Sequence, residues 1–216
     1  MDGLDRGEVI TRPFRHTIIE DFLDQSLYEE LYRTFPKITI PSRNNIQTSL
    51  AAKYILKDTK IAGVWKELVS YFTSMEWYWK VVKKFNLDIA HYGGIRGIDH
   101  RGAVLECQCL INSPVVEKSS VKKAHVDSMR TKWAGLLYFK DPEDNFGGDL
   151  LLYDVKYPEF ISKGRFCTNP GEPFNKVEYK ANHFIGYENN RHSIHGVSER
   201  NPTSILRKYV NFTIDM

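Results

Sequence analysis

His125-Val126-Asp127 sets an imidazole and a carboxylate two positions apart, and in extended backbone that spacing directs both side chains to one face. Two such groups can grip one metal ion. Histidines and acids are numerous enough here that a chance pair of this kind is ordinary, so support must come from elsewhere in the chain. It comes 68 residues after Asp127, where the segment NRHSIHGV (190–197) carries His192 and His195. Either imidazole would complete a set of two histidines and one carboxylate, which leaves three adjacent positions open on an octahedral iron(II). Open positions serve oxygen chemistry. A structural zinc favours closed tetrahedral ligation, often with Cys, and no Cys-x-x-Cys pair occurs. In a strand, His192 and His195 face opposite sides, so only one can meet the other two ligands. Gly196 and Val197 continue the strand after His195, which favours His195.

Arg207 opens the terminal run Arg207-Lys208-Tyr209-Val210-Asn211-Phe212. Alternation puts Arg207, Tyr209 and Asn211 on one face, and a guanidinium pointing inward needs an anionic partner because an unpaired buried charge is costly. The arginine fork suits a carboxylate better than the ammonium of Lys208 does. The competing reading is a surface arginine in a basic strand.

These residues require a scaffold. Residues 16–19 (HTII) read as a strand, and Ser26-Leu27-Tyr28-Glu29 has the capping-box pattern of a helix start, followed by Leu27, Leu31 and Phe35 at helical spacing until Pro36. Residues 37–58 are less periodic, and their polar part, Asn44 to Thr48, reads as a surface connection. Val64, Leu68, Phe72, Met75, Tyr78, Val82 and Phe85 then predict one long helix or two abutting ones, ending near Asn86. His91-Tyr92-Gly93-Gly94 and Arg96-Gly97 are turn chemistry. After residue 103 the texture changes to short β-rich runs punctuated by Gly, Pro, Asn and Asp. Strands are predicted at 104–111, 121–127, 134–139, 149–153, 177–180, 183–187, 193–197 and 207–214. The expectation is a mainly β, α+β fold: a single domain over 1–216, with helical support in 1–90 packed on one face of a double-sheet core in 103–216. The stretch 155–176 exceeds ordinary loop length and is a candidate lid or binding loop.

Composition sets the outer limits. A chain of 216 residues with 42% hydrophobic and 26% charged residues suits one globular domain. The formal charge of +3 is small, and Lys118, Lys122 and Lys123 read first as a solvated face, so nucleic acid is not an expected partner. Apolar runs are too short to span a membrane, and the opening residues lack a signal-peptide core, so a cytoplasmic location is expected. Cys107 and Cys109, two apart in a predicted strand, are poorly placed to bridge each other, in keeping with reduced thiols.

In its order of motifs the chain resembles the iron(II)- and 2-oxoglutarate-dependent dioxygenases, in their prolyl-4-hydroxylase-like branch. The elements that carry the resemblance are IIEDFLDQSLYEELYRTFP (18–36), His125-Val126-Asp127, Leu136-Leu137-Tyr138-Phe139, Gly147-Gly148-Asp149-Leu150, His195-Gly196-Val197 and Arg207. The resemblance implies a double-stranded β-helix, or jelly roll, with iron(II) held by His125, Asp127 and His195. It also implies that 2-oxoglutarate and O2 are co-substrates. Arg207 maps onto the residue that binds the distal carboxylate of 2-oxoglutarate, with Tyr138 donating to the same group and Gln108 and Asn211 as weaker candidates. The family places its basic residue nearer the second histidine than Arg207 stands, which makes Arg200 the alternative. Retention of Asp127 implies hydroxylation of an unactivated C–H bond rather than halogenation, with succinate and CO2 as co-products. A small metabolite or amino acid, enclosed by 155–176 and the polar segment 42–49, is expected before a protein prolyl or aminoacyl side chain. A non-catalytic jelly-roll binding module and a metal-dependent hydrolase are the rival classes.

Overall fold

The computed structural model describes residues 2–87, 102–161 and 165–216. In chain order the elements are β1 (His16–Ile19), α1 (Gln25–Arg33), β2 (Gln47–Leu50), α2 (Ala52–Lys57), α3 (Gly63–Phe72) and α4 (Met75–Phe85). There follow β3 (Val104–Asn112), β4 (Thr131–Tyr138), β5 (Leu150–Leu152), β6 (Phe160–Ile161), β7 (Phe166–Cys167), β8 (Asn175–Val177), β9 (Phe184–Glu188), β10 (His195–Val197) and β11 (Arg207–Asp215). The turn motifs expected at 91–97 lie outside the described residues.

Alternation sorts the large antiparallel sheet, whose order is β1-β9-β4-β11-β3-β2. Trp133, Leu137, Phe184, Val210, Phe212 and Ile214 point to one side, where they form one hydrophobic cluster with Trp65, Leu68, Phe72, Trp77, Val81 and Phe85 of α3 and α4. The Phe72 and Phe212 rings meet at 4.3 Å between centroids, tilted by 42°, and burying a side chain of this size is worth about 1.5–3 kcal/mol. The odd partners of β11, namely Arg207, Tyr209 and Asn211, face the other way, toward the second sheet.

That second sheet has the order β10-β5-β8, and its Leu150, Leu152 and Val177 pack against Ala134, Ile185 and Tyr187 of the large sheet. Two facing antiparallel sheets with helices on one outer side make the expected mainly β jelly roll. Among the described residues, no helix is long and apolar enough to cross a membrane.

Four sequence expectations need correction. Residues 121–127 are not a regular strand: only His125 bridges, to His195 on one side and Phe166 on the other. The polar connection at 37–58 contains β2 and α2, and β2 is the edge strand paired with β3. With β1 at the opposite edge, residues 1–90 therefore supply both borders of the large sheet as well as the helices. Ser26 is not the cap of α1; the N-cap is Asp24, which makes no side-chain cap bond, and Gln25 instead donates to Glu29 at 2.9 Å. The long stretch 155–176 contains the β6–β7 pair, and Val126 N–H donates to the Arg165 carbonyl at 2.9 Å, which fastens that stretch beside the His125 segment.

The two abutting helices are present as expected. Ser74 Oγ caps α4 by accepting from Trp77 N–H at 3.2 Å, and Asn86 closes it in the left-handed region, with φ of 43°.

Candidate metal centre and its cavity

The backbone brings His125 and His195 together before their side chains are considered. Their N–H and C=O groups exchange bonds of 2.8 and 2.9 Å, an antiparallel pair that puts both imidazoles on the inward face, with ring centroids 4.2 Å apart. Asp127 follows two residues on. One ligand atom from each of His125, Asp127 and His195 can be chosen so that all three lie within 4.8 Å of one another. His125 Nε2 is 3.6 Å from Asp127 Oδ1, and His195 Nε2 is 3.7 Å from Asp127 Oδ2.

Hydrogen bonds fix which nitrogen faces inward. His125 Nδ1 lies 2.8 Å from the Lys123 carbonyl and His195 Nδ1 lies 2.9 Å from the Ser193 carbonyl. A carbonyl only accepts, so each Nδ1 carries the proton and each Nε2 presents its lone pair to Asp127, the arrangement metal-binding histidines require. Asn189 braces the loops around the set: Oδ1 accepts from Asp127 N–H, and Nδ2 donates to the Ser128 and Thr131 carbonyls.

Electrostatics favour neutral imidazoles beside an ionised carboxylate. Burial lowers the His125 imidazole from its ordinary value, and burial together with neighbouring His125 pushes His195 down to about 3. Burial opposes the Asp127 carboxylate, but His195, His125 and Lys122 outweigh it and hold the carboxyl well below the usual range. Two neutral imidazoles and one carboxylate are the protonation states that a divalent cation needs. His125 Nε2 is buried and has no hydrogen-bond partner among the described residues, so the donor set fits a metal and leaves a polar atom unsatisfied without one.

A cavity of about 60 Å³ adjoins the three residues and is lined further by Gln47, Lys122, Tyr187, Arg207, Tyr209 and Asn211. Arg207 is 2% exposed, its Nε donates to the Gly148 carbonyl at 3.1 Å, and its Nη2 has no partner among the described residues. The rings of Tyr138, Tyr179 and Tyr209 surround it at 5.1, 4.6 and 4.6 Å. Tyr138 OH is likewise buried without a partner, and burial pushes that phenol up to about 12, so it stays a neutral donor.

The other sequence candidates separate clearly. Asn211 lines the cavity with its Oδ1 unpaired. Gln108 pairs across the sheet with Asn211 but is not part of the cavity wall. Arg200 is engaged elsewhere, in a buried ion pair with Asp144 at 2.9 Å, which removes it as the alternative to Arg207. His192 is exposed and turned away, 3.5 Å from the Val155 carbonyl.

Tyr187 and Lys122, both on the cavity, escaped the sequence reading. Tyr187 OH donates to Asp127 Oδ2 at 2.8 Å and lies 3.0 Å from His195 Nε2. Alternation in 183–187 already put Tyr187 on one face with Ile185, but nothing local said that this face meets the metal set. Lys122, read as part of a solvated face, instead reaches into the cavity, with Nζ 3.3 Å from Asp127 Oδ1.

No family model matches the sequence, and no curated protein matches it. Solved structures do match. A prolyl-4-hydroxylase from Pseudomonas putida is 14% identical with a TM-score of 0.54, over 93% of this chain and 91% of that one. A prolyl hydroxylase from Trichoplax adhaerens, in complex with a hypoxia inducible factor oxygen degradation domain peptide fragment, is 16% identical with a TM-score of 0.54, over 93% and 83%. IDO from Bacillus thuringiensis is 12% identical with a TM-score of 0.55, over 93% and 92%. At these identities the likeness establishes the fold, which is the one the resemblance implied, with a His-Asp-His cluster inside it.

Proposed function

We propose that this chain is an iron(II)- and 2-oxoglutarate-dependent dioxygenase that hydroxylates an unactivated C–H bond of a small metabolite. The observation that carries this reading is the joint presence, on one cavity, of a metal-competent His-Asp-His set and a buried guanidinium without a carboxylate partner among the described residues. Fold alone does not carry function.

His125 Nε2, His195 Nε2 and the Asp127 carboxylate would hold iron(II). Bound iron, with 2-oxoglutarate and O2, supplies the oxidation: one oxygen atom enters the substrate C–H bond and the other enters succinate, with CO2 released. The protein's own work is placement. Arg207 Nη2 and Tyr138 OH are two buried donors with free hydrogens, and the distal carboxylate of 2-oxoglutarate would accept from both. Tyr187 steadies the Asp127 carboxylate by its donated bond, and Asn189 holds the backbone on either side.

The cavity's polar lining, with Gln47, Lys122 and Asn211, supports a polar substrate. Titration of 2-oxoglutarate into the anaerobic iron(II) protein is the test. A weak visible charge-transfer absorption should appear and saturate, and 2-oxoglutarate should support O2 uptake when substrate is added. A protein that gives no such absorption is a binding module rather than an oxygenase. Turnover supported by zinc without oxygen would point to a hydrolase.

A further inference from the structure

Lys122 is held for a purpose that the metal set does not use. Its carbonyl accepts from Val197 N–H at 2.9 Å and its N–H donates to Ser120 Oγ at 3.2 Å, while Ser120 Oγ donates in turn to the Val197 carbonyl at 2.6 Å. The backbone of Lys122 is thus pinned beside β10, three residues before His125, and its side chain is two-thirds covered, at 34% exposed. The ammonium finds one carboxylate, Asp127, at 3.3 Å. Lys118 and Lys176 have carboxylates of their own, Glu199 at 3.1 Å and Asp149 at 3.3 Å.

Charge decides what Lys122 awaits. Among the described residues the cavity wall carries two cations, Lys122 and Arg207, and one anion, Asp127, with the two imidazoles neutral. On the proposed function, iron(II) and the 2-oxoglutarate dianion cancel, so the loaded cavity keeps one positive charge. That charge is left at Lys122, because Arg207 takes the co-substrate and the carboxylate of Asp127 is turned over to the metal. A partly buried ammonium deprived of its counter-ion is costly, and one more negative charge beside it removes the cost.

We infer that Lys122 is the substrate anchor and that the substrate is a small monocarboxylate, its acid group on the Lys122 ammonium and its oxidised carbon over the metal. A phosphate monoester, carrying close to two charges, would overshoot the balance, and a neutral or cationic compound would leave it unmet. The inference rests on the proposed function and adds the substrate class.

The experiment uses the full chain with iron(II) and saturating 2-oxoglutarate under argon. The probes are N-acetyl-L-amino acids and short aliphatic monocarboxylic acids, each paired with its primary amide, and short unmodified peptides. Binding is read as a shift of the visible chelate absorption, independently of turnover. Acids should shift the absorption and their amides should not. Lys122→Met should raise the apparent Kd of the active acids by about tenfold or more, the loss of one charge-assisted contact. Lys122→Arg should restore most of the affinity. The 2-oxoglutarate titration of Lys122→Met should match the wild type within about threefold, since that ligand is held by Arg207; this also shows that the variant folds. Equal binding of acids and amides, unchanged acid affinity in Lys122→Met, binding of peptides alone, or a formed chelate that no acid perturbs would each overturn the inference. Absence of the chelate in the wild type would instead remove the proposed function beneath it.

Discussion

Arg200 and Arg207 are both buried, at 1% and 2% exposed, and one glycine turn serves them both. Gly147 offers its carbonyl to Arg200 at 3.4 Å, and Gly148 offers its own to Arg207 at 3.1 Å. The turn can do this because both residues lie at positive φ, 92° and 95°, where a side chain is strained, and a Cβ on Gly147 would meet the Glu199 carbonyl at 2.4 Å. Beyond the turn the two regions diverge. Arg200 spends its remaining donors on Asp144 at 2.9 Å and the Ile205 carbonyl at 3.2 Å, whereas Arg207 has tyrosine rings around it and an unused Nη2. A buried charge paired with its own carboxylate belongs to the architecture. One that is left short of an anion marks where a ligand belongs.

The strongest way to break this contrast is at the metal set. Asp127→Ala removes the charged ligand, so substrate oxidation should be lost entirely while the fold around Arg200 survives. Circular dichroism with a turnover assay checks both, and normal iron-dependent turnover would contradict the ligand assignment. Next in size, Arg200→Ala strands Asp144, 0% exposed, as an unpaired buried carboxylate, and should cost about 3–5 kcal/mol of stability in denaturant titration. The folded fraction should bind 2-oxoglutarate normally.

Arg207→Ala should do the reverse. Stability changes little, because no carboxylate is left unpaired, but anaerobic 2-oxoglutarate affinity should fall by about ten- to a hundredfold for loss of a charge-assisted contact of roughly 1.5–3 kcal/mol. Iron affinity should change far less. Equal 2-oxoglutarate affinity in wild type and variant would take Arg207 out of the site. The smallest effect belongs to His192→Ala: metal affinity and turnover should be those of the wild type, and a metal-binding defect there would mean that the two imidazoles of 190–197 had been assigned the wrong way round.

Much of the site was legible because strand geometry is a short-range rule. The two-residue spacing of His125 and Asp127, the three-residue spacing that sets His192 against His195, and the shared face of Arg207, Tyr209 and Asn211 all depend on local alternation. The same rule separated Trp133 and Leu137, which meet the helices, from Leu136 and Tyr138, which face inward. It served even at 121–127, where no regular strand forms, because the bridge between His125 and His195 keeps the local backbone extended.

What alternation cannot state is which distant faces meet. Whether Arg200 or Arg207 stays uncompensated depends on Asp144, which only the folded chain delivers to Arg200. Gln47 looked like part of a surface connection until pairing with β3 made it a cavity wall, and Tyr187 was an aromatic on a strand until β9 and β10 brought its hydroxyl to Asp127. Lys122 shows the limit most plainly. Its neighbours in sequence are lysines and serines that suggest solvent, yet hydrogen bonds to Ser120 and Val197 aim its ammonium at Asp127. Residue type and spacing thus picked out the His125-Asp127-His195 cluster and the faces of the strands; the charge balance of the cavity was decided by long-range pairing alone, because it depends on which opposite charges the fold brings within ion-pair distance.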